Sequence, residues 1–371
     1  MMHISSNRAV ARISLSNILH NINEFKKCKS KKLNICAVVK ADAYGHGSVE
    51  VSKFIEQYVD YFAVSTGDEA IELRNSQIKK PILILGYVFD NEVENLIRSD
   101  VEFTVYNIKI ASTINKIAKK NNLMAKVHIK LDTGMSRIGF LSQDNYVEEI
   151  KTVNNLSNIR IVGCFSHFSN AEETKNVINE VQYELFQMMC KKIESENIDL
   201  GIKHISNSAA SEKNNYDLDM VRLGIGMYGY SYNDMKDEKL DLKPAMKLES
   251  LISNIKLLKK GCKVSYSGKY TLEEDEWIAT IPIGYADGIS RSLSCKNFEV
   301  VLDNGIKGIS VGNICMDQMM IKLPQEVAIG TKVNIFGYDN DSGYNIAKLA
   351  DTIIYEIVCG INKRVKREYE I

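Results

Sequence analysis

The segment V-V-K-A-D-A-Y-G-H-G, residues 38–47, holds the sharpest concentration of chemistry in the chain. An apolar run delivers Lys40 at its end, and a turn with two glycines follows. Burial disfavours the charged form of an amine, so a lysine at an apolar rim gives up its proton more readily. It is then nucleophilic enough to form a Schiff base with an aldehyde. A lone lysine at a strand end more often simply reaches water, so the weight lies on the whole string.

Other residues with reactive or anchoring side chains follow at the ends of apolar runs. Lys130 and Asp132 lie in H-I-K-L-D-T-G-M-S-R-I-G-F at 128–140, which also carries Arg137. His167 lies in S-H-F at 166–168, flanked by Phe165 and Phe168, where a buried structural histidine is the plain alternative. Asn207 and Ser208 open N-S-A-A, and Arg222 lies in V-R-L-G-I-G-M-Y-G at 221–229. An arginine is commonly a surface ion-pair partner, but Val221, Leu223 and the glycines argue against a solvated face. Further on come V-S-Y-S-G-K-Y at 264–270, I-P-I-G-Y-A-D-G at 281–288 and I-C-M-D-Q at 314–318.

The elements that must position these residues alternate. Strand-like runs at 35–39, 61–65, 82–85, 102–106, 125–131, 159–164, 202–206 and 220–223 are separated by amphipathic stretches such as 107–120 and 175–196. Near-continuous apolar strands joined by helices imply a parallel sheet covered on both faces. Eight units in the first 240 residues predict an α/β fold, a (β/α)8 TIM-type barrel, whose chemistry gathers at the carboxyl ends of its strands. Lys40, Lys130, His167, Asn207, Ser208 and Arg222 should therefore converge on one mouth. Residues 232–244 break the pattern with charge and a proline, which sets a boundary between a domain at 1–240 and a second at 241–371. The second reads as mainly β, with segments at 246–258, 276–284, 298–303, 309–322 and 331–337 and a final helical stretch at 344–361.

Bulk properties exclude several function classes. The chain has 371 residues, 45% apolar and 25% charged, with a formal net charge of zero. That balance gives no reason to expect nucleic acid or an anionic membrane as partner. No apolar run is long enough to span a bilayer, and no apolar signal core follows the first basic residues. Eight cysteines, at 28, 36, 164, 190, 262, 295, 315 and 359, form no C-x-x-C pair, and the six histidines show no ligand spacing. Reduced thiols, no metal and a cytoplasmic location are the expectation.

Eight of these motifs, in order and over essentially the whole chain, resemble the alanine racemase family. The resemblance implies a pyridoxal 5'-phosphate (PLP) enzyme that interconverts L- and D-alanine, supplying D-alanine for peptidoglycan. It makes Lys40 the Schiff-base lysine and the base on one face of the substrate Cα, and Tyr266 the base on the opposite face. Racemisation needs two faces served, because a proton leaves one side of a planar carbanion and returns on the other. Arg222 would face the pyridine nitrogen of the cofactor. A guanidinium donates a hydrogen bond but effectively never loses its proton, so the ring nitrogen would stay unprotonated. His167 would sit between Arg222 and the tyrosine. Phosphate contacts are implied at Tyr44, Asn207, Ser208 and the backbone near Gly224 and Ile225. Arg137 would bond the cofactor's phenolic oxygen and the substrate carboxylate, with Met316 and Tyr285 near that carboxylate. Lys130 would carry a carbamate that positions Arg137; an ordinary Lys130–Asp132 ion pair is the rival.

One departure stands out. The family commonly has a phosphate-contacting tyrosine just before an R-V-P-R string, where this chain reads I-N-K-R-V-K-R at 361–367. That alignment puts Lys363 at the tyrosine's place and Lys366 at the proline's, which opens serine as a rival substrate. The resemblance further implies a head-to-tail homodimer in which each β domain covers the other subunit's barrel mouth. Three rivals remain: a non-catalytic PLP carrier, which would lack the β domain; a PLP decarboxylase, which would place an acidic residue where Arg222 stands; and a plain barrel hydrolase or aldolase, which leaves the ordered motifs unexplained.

Overall fold

The computed structural model describes residues 7–27, 33–173, 177–213, 216–231 and 240–371. Cys28, the first residues of the 175–196 stretch and most of the expected boundary at 232–244 lie outside them. Strand β1 is Ala9–Ser14, β2 Asn34–Val38, β3 Tyr61–Val64, β4 Ile82–Ile84 and β5 Val101–Val105. Then come β6 Ala125–Asp132, the short β7 Phe140–Leu141, β8 Ile159–Phe165, β9 Ile202–His204 and β10 Met220–Leu223. Eight of these form one wholly parallel sheet, in the order β10-β2-β3-β4-β5-β6-β8-β9. Its two edges approach each other. Asp219 N donates to Lys203 O at 3.0 Å and Arg222 N to Ser206 O at 3.1 Å, so the sheet closes almost completely into the expected barrel.

Helices cover the outside, and their ends follow local sequence. Asn107 caps the helix Ile108–Lys120 by accepting from Ile110 N. Thr66 and Glu69 form a reciprocal capping box on Gly67–Asn75. Each device satisfies backbone N–H groups that a helix start leaves unpaired.

The second sheet is almost entirely antiparallel and has nine strands among the described residues. The first strand of the chain belongs to it. β1 pairs antiparallel with β11, Met246–Leu251, and parallel with Lys366–Glu370. A barrel assigned to all of residues 1–240 therefore needs correcting at its start. The alternation of V-A-R-I is too short to reveal which sheet it joins. Arg12 secures the placement through Glu249 at 2.6 Å, and Arg8 pairs with the buried Asp287 through both carboxylate oxygens.

Three further stretches divide where one element was expected. Residues 246–258 switch partners at Ile252 and Ser253, whose N–H groups go to Thr331 O and Thr280 O. The 309–322 run opens into a loop between Lys307–Val311 and Met319–Leu323, with Gly312 at φ 68°. The final helical stretch is two helices, Ser342–Leu349 and Ile354–Cys359.

Candidate active site

A cavity of about 710 Å³ opens at the carboxyl ends of the barrel strands, lined by Lys40, Lys130, Arg137 and Arg222 among others. Tyr44, His167, Asn207, Ser208, Gly224 and Ile225 also face it, so every barrel residue expected at the site is gathered there. Four cationic side chains in one concave mouth suit a doubly anionic occupant. A neighbouring cavity of about 370 Å³ shares Gly86, Tyr87 and Tyr106 but none of those cations.

Lys40 is presented by a backbone that the sequence does not announce. Ala41, Asp42, Ala43 and Tyr44 all have φ between 52° and 55°, so the chain after β2 winds as one left-handed turn. For residues with a Cβ that conformation costs about 1–2 kcal/mol each. Surrounding groups hold it. Ala41 N donates to Glu69 Oε1 at 2.7 Å, Gly47 N to Asp42 O at 2.8 Å, and Ser48 N to Asp42 Oδ1 at 2.9 Å. His46 Nδ1 contacts the carbonyls of Ala43 and Tyr44, and Arg367 Nε donates to Gly45 O. Concentrated strain of this kind marks positions where geometry matters more than stability. Burial, followed by the nearby Arg137, lowers the pKa of the Lys40 amine.

Arg137 leaves β6 through a tight turn. The Asp132 carboxylate accepts from Gly134 N, Ser136 N and Arg137 N at 2.9–3.1 Å. Asp132 is thus committed to backbone, and no ion pair with Lys130 forms within 4.0 Å. The Lys130 ammonium instead donates to Leu131 O at 2.7 Å and lies 5.6 Å from the centre of the Phe165 ring. Burial is the main cause that brings its pKa down to about 7, with Asp132 opposing and Arg222 and Arg137 assisting.

Arg222 is fully enclosed. Nη2 donates to Ser166 O and Ile205 O, both at 2.9 Å, and to His167 Nδ1 at 3.1 Å; Nη1 donates to His204 Nδ1 at 2.7 Å. Nδ1 of His167 must accept here, because a guanidinium only donates. His167 therefore keeps its proton on Nε2, and burial followed by Arg222 holds its pKa well down.

Beside Tyr44, Gly224 follows the end of strand β10. A Cβ added there would lie 2.8 Å from the Tyr44 hydroxyl, so glycine leaves a recess lined by donors. Ser208 Oγ accepts from Gly224 N at 2.9 Å and Gly226 N at 3.3 Å, which leaves its own proton to point elsewhere. Asn207 Oδ1 accepts from Ala210 N at 2.9 Å and fixes the start of the helix Ser208–Lys213. A hydroxyl-lined recess with a small-residue floor is a fitting cradle for a phosphate.

Three expected site residues do not line this cavity. Tyr266, Met316 and Tyr285 stand exposed on the β domain, at 70%, 53% and 41%. They share one patch. Asn313 Nδ2 donates to Tyr266 O, and Tyr285 N and Ala286 N donate to the carbonyls of Cys315 and Met316. Tyr266 is held out by Ser265 at φ 65°, ψ −176° and Ser267 at φ 64°, conformations that L residues rarely adopt. Ser265 Oγ–H, donating to Asn313 O at 2.7 Å, ties that turn down.

Lys363 requires correction. It is exposed and borders a separate cleft with Asp42 and Lys366, away from the cavity. Tyr355, from the helix Ile354–Cys359, lines the cavity instead, its ring 6.1 Å from that of Tyr44. Matching the tyrosine by its distance from R-V-K-R missed it, because the helix turns inward one element earlier. Cys359 lines the cavity too. Glu102, His128 and His204, beneath Arg222, were also unforeseen: Glu102 and His204 sit inside apolar runs without a motif, and His128 only opens the 128–140 string, where nothing in the sequence ties it to the other two.

The family profile described as alanine racemase, N-terminal domain, matches residues 13–232, and that described as alanine racemase, C-terminal domain, matches 245–369. An alanine racemase of Methanococcus maripaludis is 41% identical over 367 residues, covering 97% of this chain and 98% of that one. The alanine racemase structure from Clostridium difficile superposes with a TM-score of 0.92 at 41% identity, over 98% of this chain and 96% of that one. The structure from Bacillus anthracis with bound L-Ala-P gives 0.92 at 32% identity, over 98% and 95%. The chain belongs to the alanine racemase family.

Proposed function

We propose that this protein interconverts L- and D-alanine with pyridoxal 5'-phosphate, using Lys40 and Tyr266 as bases on opposite faces of the substrate Cα. The observation that carries this is Arg222, which lines the cavity while carbonyls and imidazole nitrogens fix its Nη1 and Nη2. A guanidinium in that place favours racemisation over decarboxylation, for which an acidic partner to the ring nitrogen is expected. When bound, the cofactor supplies an aldehyde for the amino group and a conjugated ring that acidifies the Cα proton.

The chain's own residues do the rest. Burial enlarges the neutral fraction of Lys40, so its amine would hold the cofactor and would take up and return the Cα proton at Nζ. Tyr44, Ser208 and the Gly224–Ile225 backbone bind the phosphate, while Asn207 orders the helix start beside them. Arg137 orients the substrate carboxylate together with Met316 and Tyr285, and the rigid Arg222–His167 pair aligns the opposite face. Lys130, with a pKa near 7, is neutral often enough to take up carbon dioxide as a carbamate, releasing one proton and gaining an anion that faces Arg137.

The exposed patch of Tyr266, Met316 and Tyr285 is the basis for reading the enzyme as a head-to-tail homodimer. Each copy's patch would cover the other's barrel mouth, so two composite sites form at once. The seven described cysteines carry no disulfide, which suits a reducing cytoplasm and supply of D-alanine to peptidoglycan. Serine loses its special claim as substrate, because Lys363 does not border the cavity. Incubation with the cofactor and either L-alanine or L-serine, followed by chiral separation, tests this. D-alanine should form much faster than D-serine and vanish with Lys40→Ala or Tyr266→Phe. Faster D-serine would overturn the substrate, and activity persisting in either variant would overturn the two bases.

A further inference from the structure

The interior of a (β/α)8 barrel is ordinarily packed with branched apolar side chains. One layer of this barrel is polar instead. Glu102 on β5, His128 on β6, His204 on β9 and Arg222 on β10 are all buried, and they touch in series. Glu102 Oε2 lies 2.9 Å from His128 Nε2, His128 Nδ1 lies 3.1 Å from His204 Nε2, and Arg222 Nη1 donates to His204 Nδ1 at 2.7 Å.

Only one arrangement of protons satisfies that series. Arg222 can only donate, so Nδ1 of His204 accepts and its proton sits on Nε2. That proton goes to His128 Nδ1, which leaves the His128 proton on Nε2, donated to the Glu102 carboxylate. A second proton on either ring would set two donors face to face. Both imidazoles are therefore neutral, and the two charged ends, one negative and one positive, are joined through them.

The sequence makes room for the contact. A Cβ at Gly163, on β8 between β6 and β9, would fall 2.1 Å from His128 Nδ1, and the β6–β8 register shifts between Val127 and His128. Phe165 stacks on His204 at 4.8 Å and 2°, and Tyr61 meets His128 edge-on at 6.2 Å. Among the described residues no carboxylate lies within 4.0 Å of the Arg222 guanidinium, whose pKa burial brings down to about 10. Tyr61 and Cys36 beside the series offer no counter-charge, since burial raises the pKa of both, and Lys130 and Arg137 add positive charge to it.

We propose that Glu102 is a positioning residue for Arg222. Acting through neutral His128 and His204, it supplies the buried counter-charge and the single proton order that hold the guanidinium toward the cofactor ring. The proposal rests on the reading of Arg222 as the ring nitrogen's partner, and it assigns that arginine's support to a carboxylate two imidazoles away.

Glu102→Gln keeps the shape and can still accept the His128 proton, but it removes the charge. Two readouts test it. In the cofactor-free, ¹⁵N-histidine-labelled chain, both rings should be neutral Nε2–H tautomers, and the His128 Nε2–H resonance should move upfield in Glu102→Gln. In the holoenzyme that variant should lose about tenfold in kcat, the size of one charge-assisted hydrogen bond, with little change in KM. Gly163→Ala, which displaces His128 without touching either charge, should reproduce the kcat loss, and the double variant should be little worse than either single one. An Nδ1–H tautomer or a charged ring in the wild-type chain, or wild-type kcat in Glu102→Gln, would overturn the proposal. Should the wild-type holoenzyme fail to racemise alanine, the functional reading falls, and the tautomers of the cofactor-free chain still decide the proton order.

Discussion

Replacing Lys130 by methionine should make the chain more stable at neutral pH, by an amount that shrinks as pH rises. Lys130 is buried with its ammonium on a single carbonyl, and its pKa falls from 10.5 to about 7. At about 1.4 kcal/mol per pKa unit, the protonated side chain is roughly 5 kcal/mol worse off folded than unfolded. The unfolded chain keeps this proton up to pH 10.5 and the folded chain only to about 7. Across that window the unfolded state binds more protons, so wild-type stability rises with pH; below it the full penalty stands. Lys130→Met removes the titration while losing one hydrogen bond, worth about 1 kcal/mol. The variant should thus lead the wild type at pH 6, and its lead should shrink by about 3 kcal/mol between pH 7 and 9.5. Urea denaturation of the cofactor-free chain in carbon dioxide-free buffer, followed by circular dichroism, measures that difference. A difference that stays flat from pH 6 to 9.5 would refute the buried, depressed amine. Adding bicarbonate at neutral pH should then stabilise the wild type and leave Lys130→Met unmoved, because only a neutral lysine forms the carbamate.

Further outcomes follow from the same geometry. Mixing unfolded Lys40→Ala and Tyr266→Phe chains and refolding them together should restore about a quarter of wild-type activity, since half the dimers then hold one intact composite site of two; no recovery would place both bases in one chain. Gly224→Ala should weaken cofactor binding, measured by fluorescence titration, because its Cβ meets the Tyr44 hydroxyl at 2.8 Å; unchanged affinity would remove the recess from the phosphate site. Lys363→Ala should leave the ratio of alanine to serine turnover unchanged, whereas Tyr355→Ala should shift it, as only Tyr355 faces the cavity.

Much of this was legible in the sequence, for reasons specific to particular residues. β10 at Met220–Leu223 coincides with the expected run, and the other barrel strands fall within about two residues of theirs, because parallel strands covered on both faces are written as unbroken apolar runs. Lys40, Lys130, His167, Asn207, Ser208 and Arg222 face one mouth because each follows or ends such a run. What stayed hidden depends on contacts distant in sequence. β1 joins a sheet whose neighbouring strands begin at residues 246 and 366. The left-handed turn at 41–44 contains no glycine, and it is held by a bond from Ala41 N to Glu69 and one from Arg367 to Gly45 O. Glu102, His128 and His204 lie on three strands and become a series only when the barrel closes. Tyr355 was missed because counting from a short motif ignores where a helix turns inward.

The most direct test of the two-base account is the racemisation of L-alanine in D₂O, with the Cα isotope read in the first D-alanine formed. Lys40 Nζ and the Tyr266 hydroxyl exchange their protons with solvent, and the account has a different residue on each face. The first D-alanine should therefore carry deuterium at Cα while the remaining L-alanine still carries protium. D-alanine that retains the substrate's own protium would mean one group serves both faces, and would contradict the account.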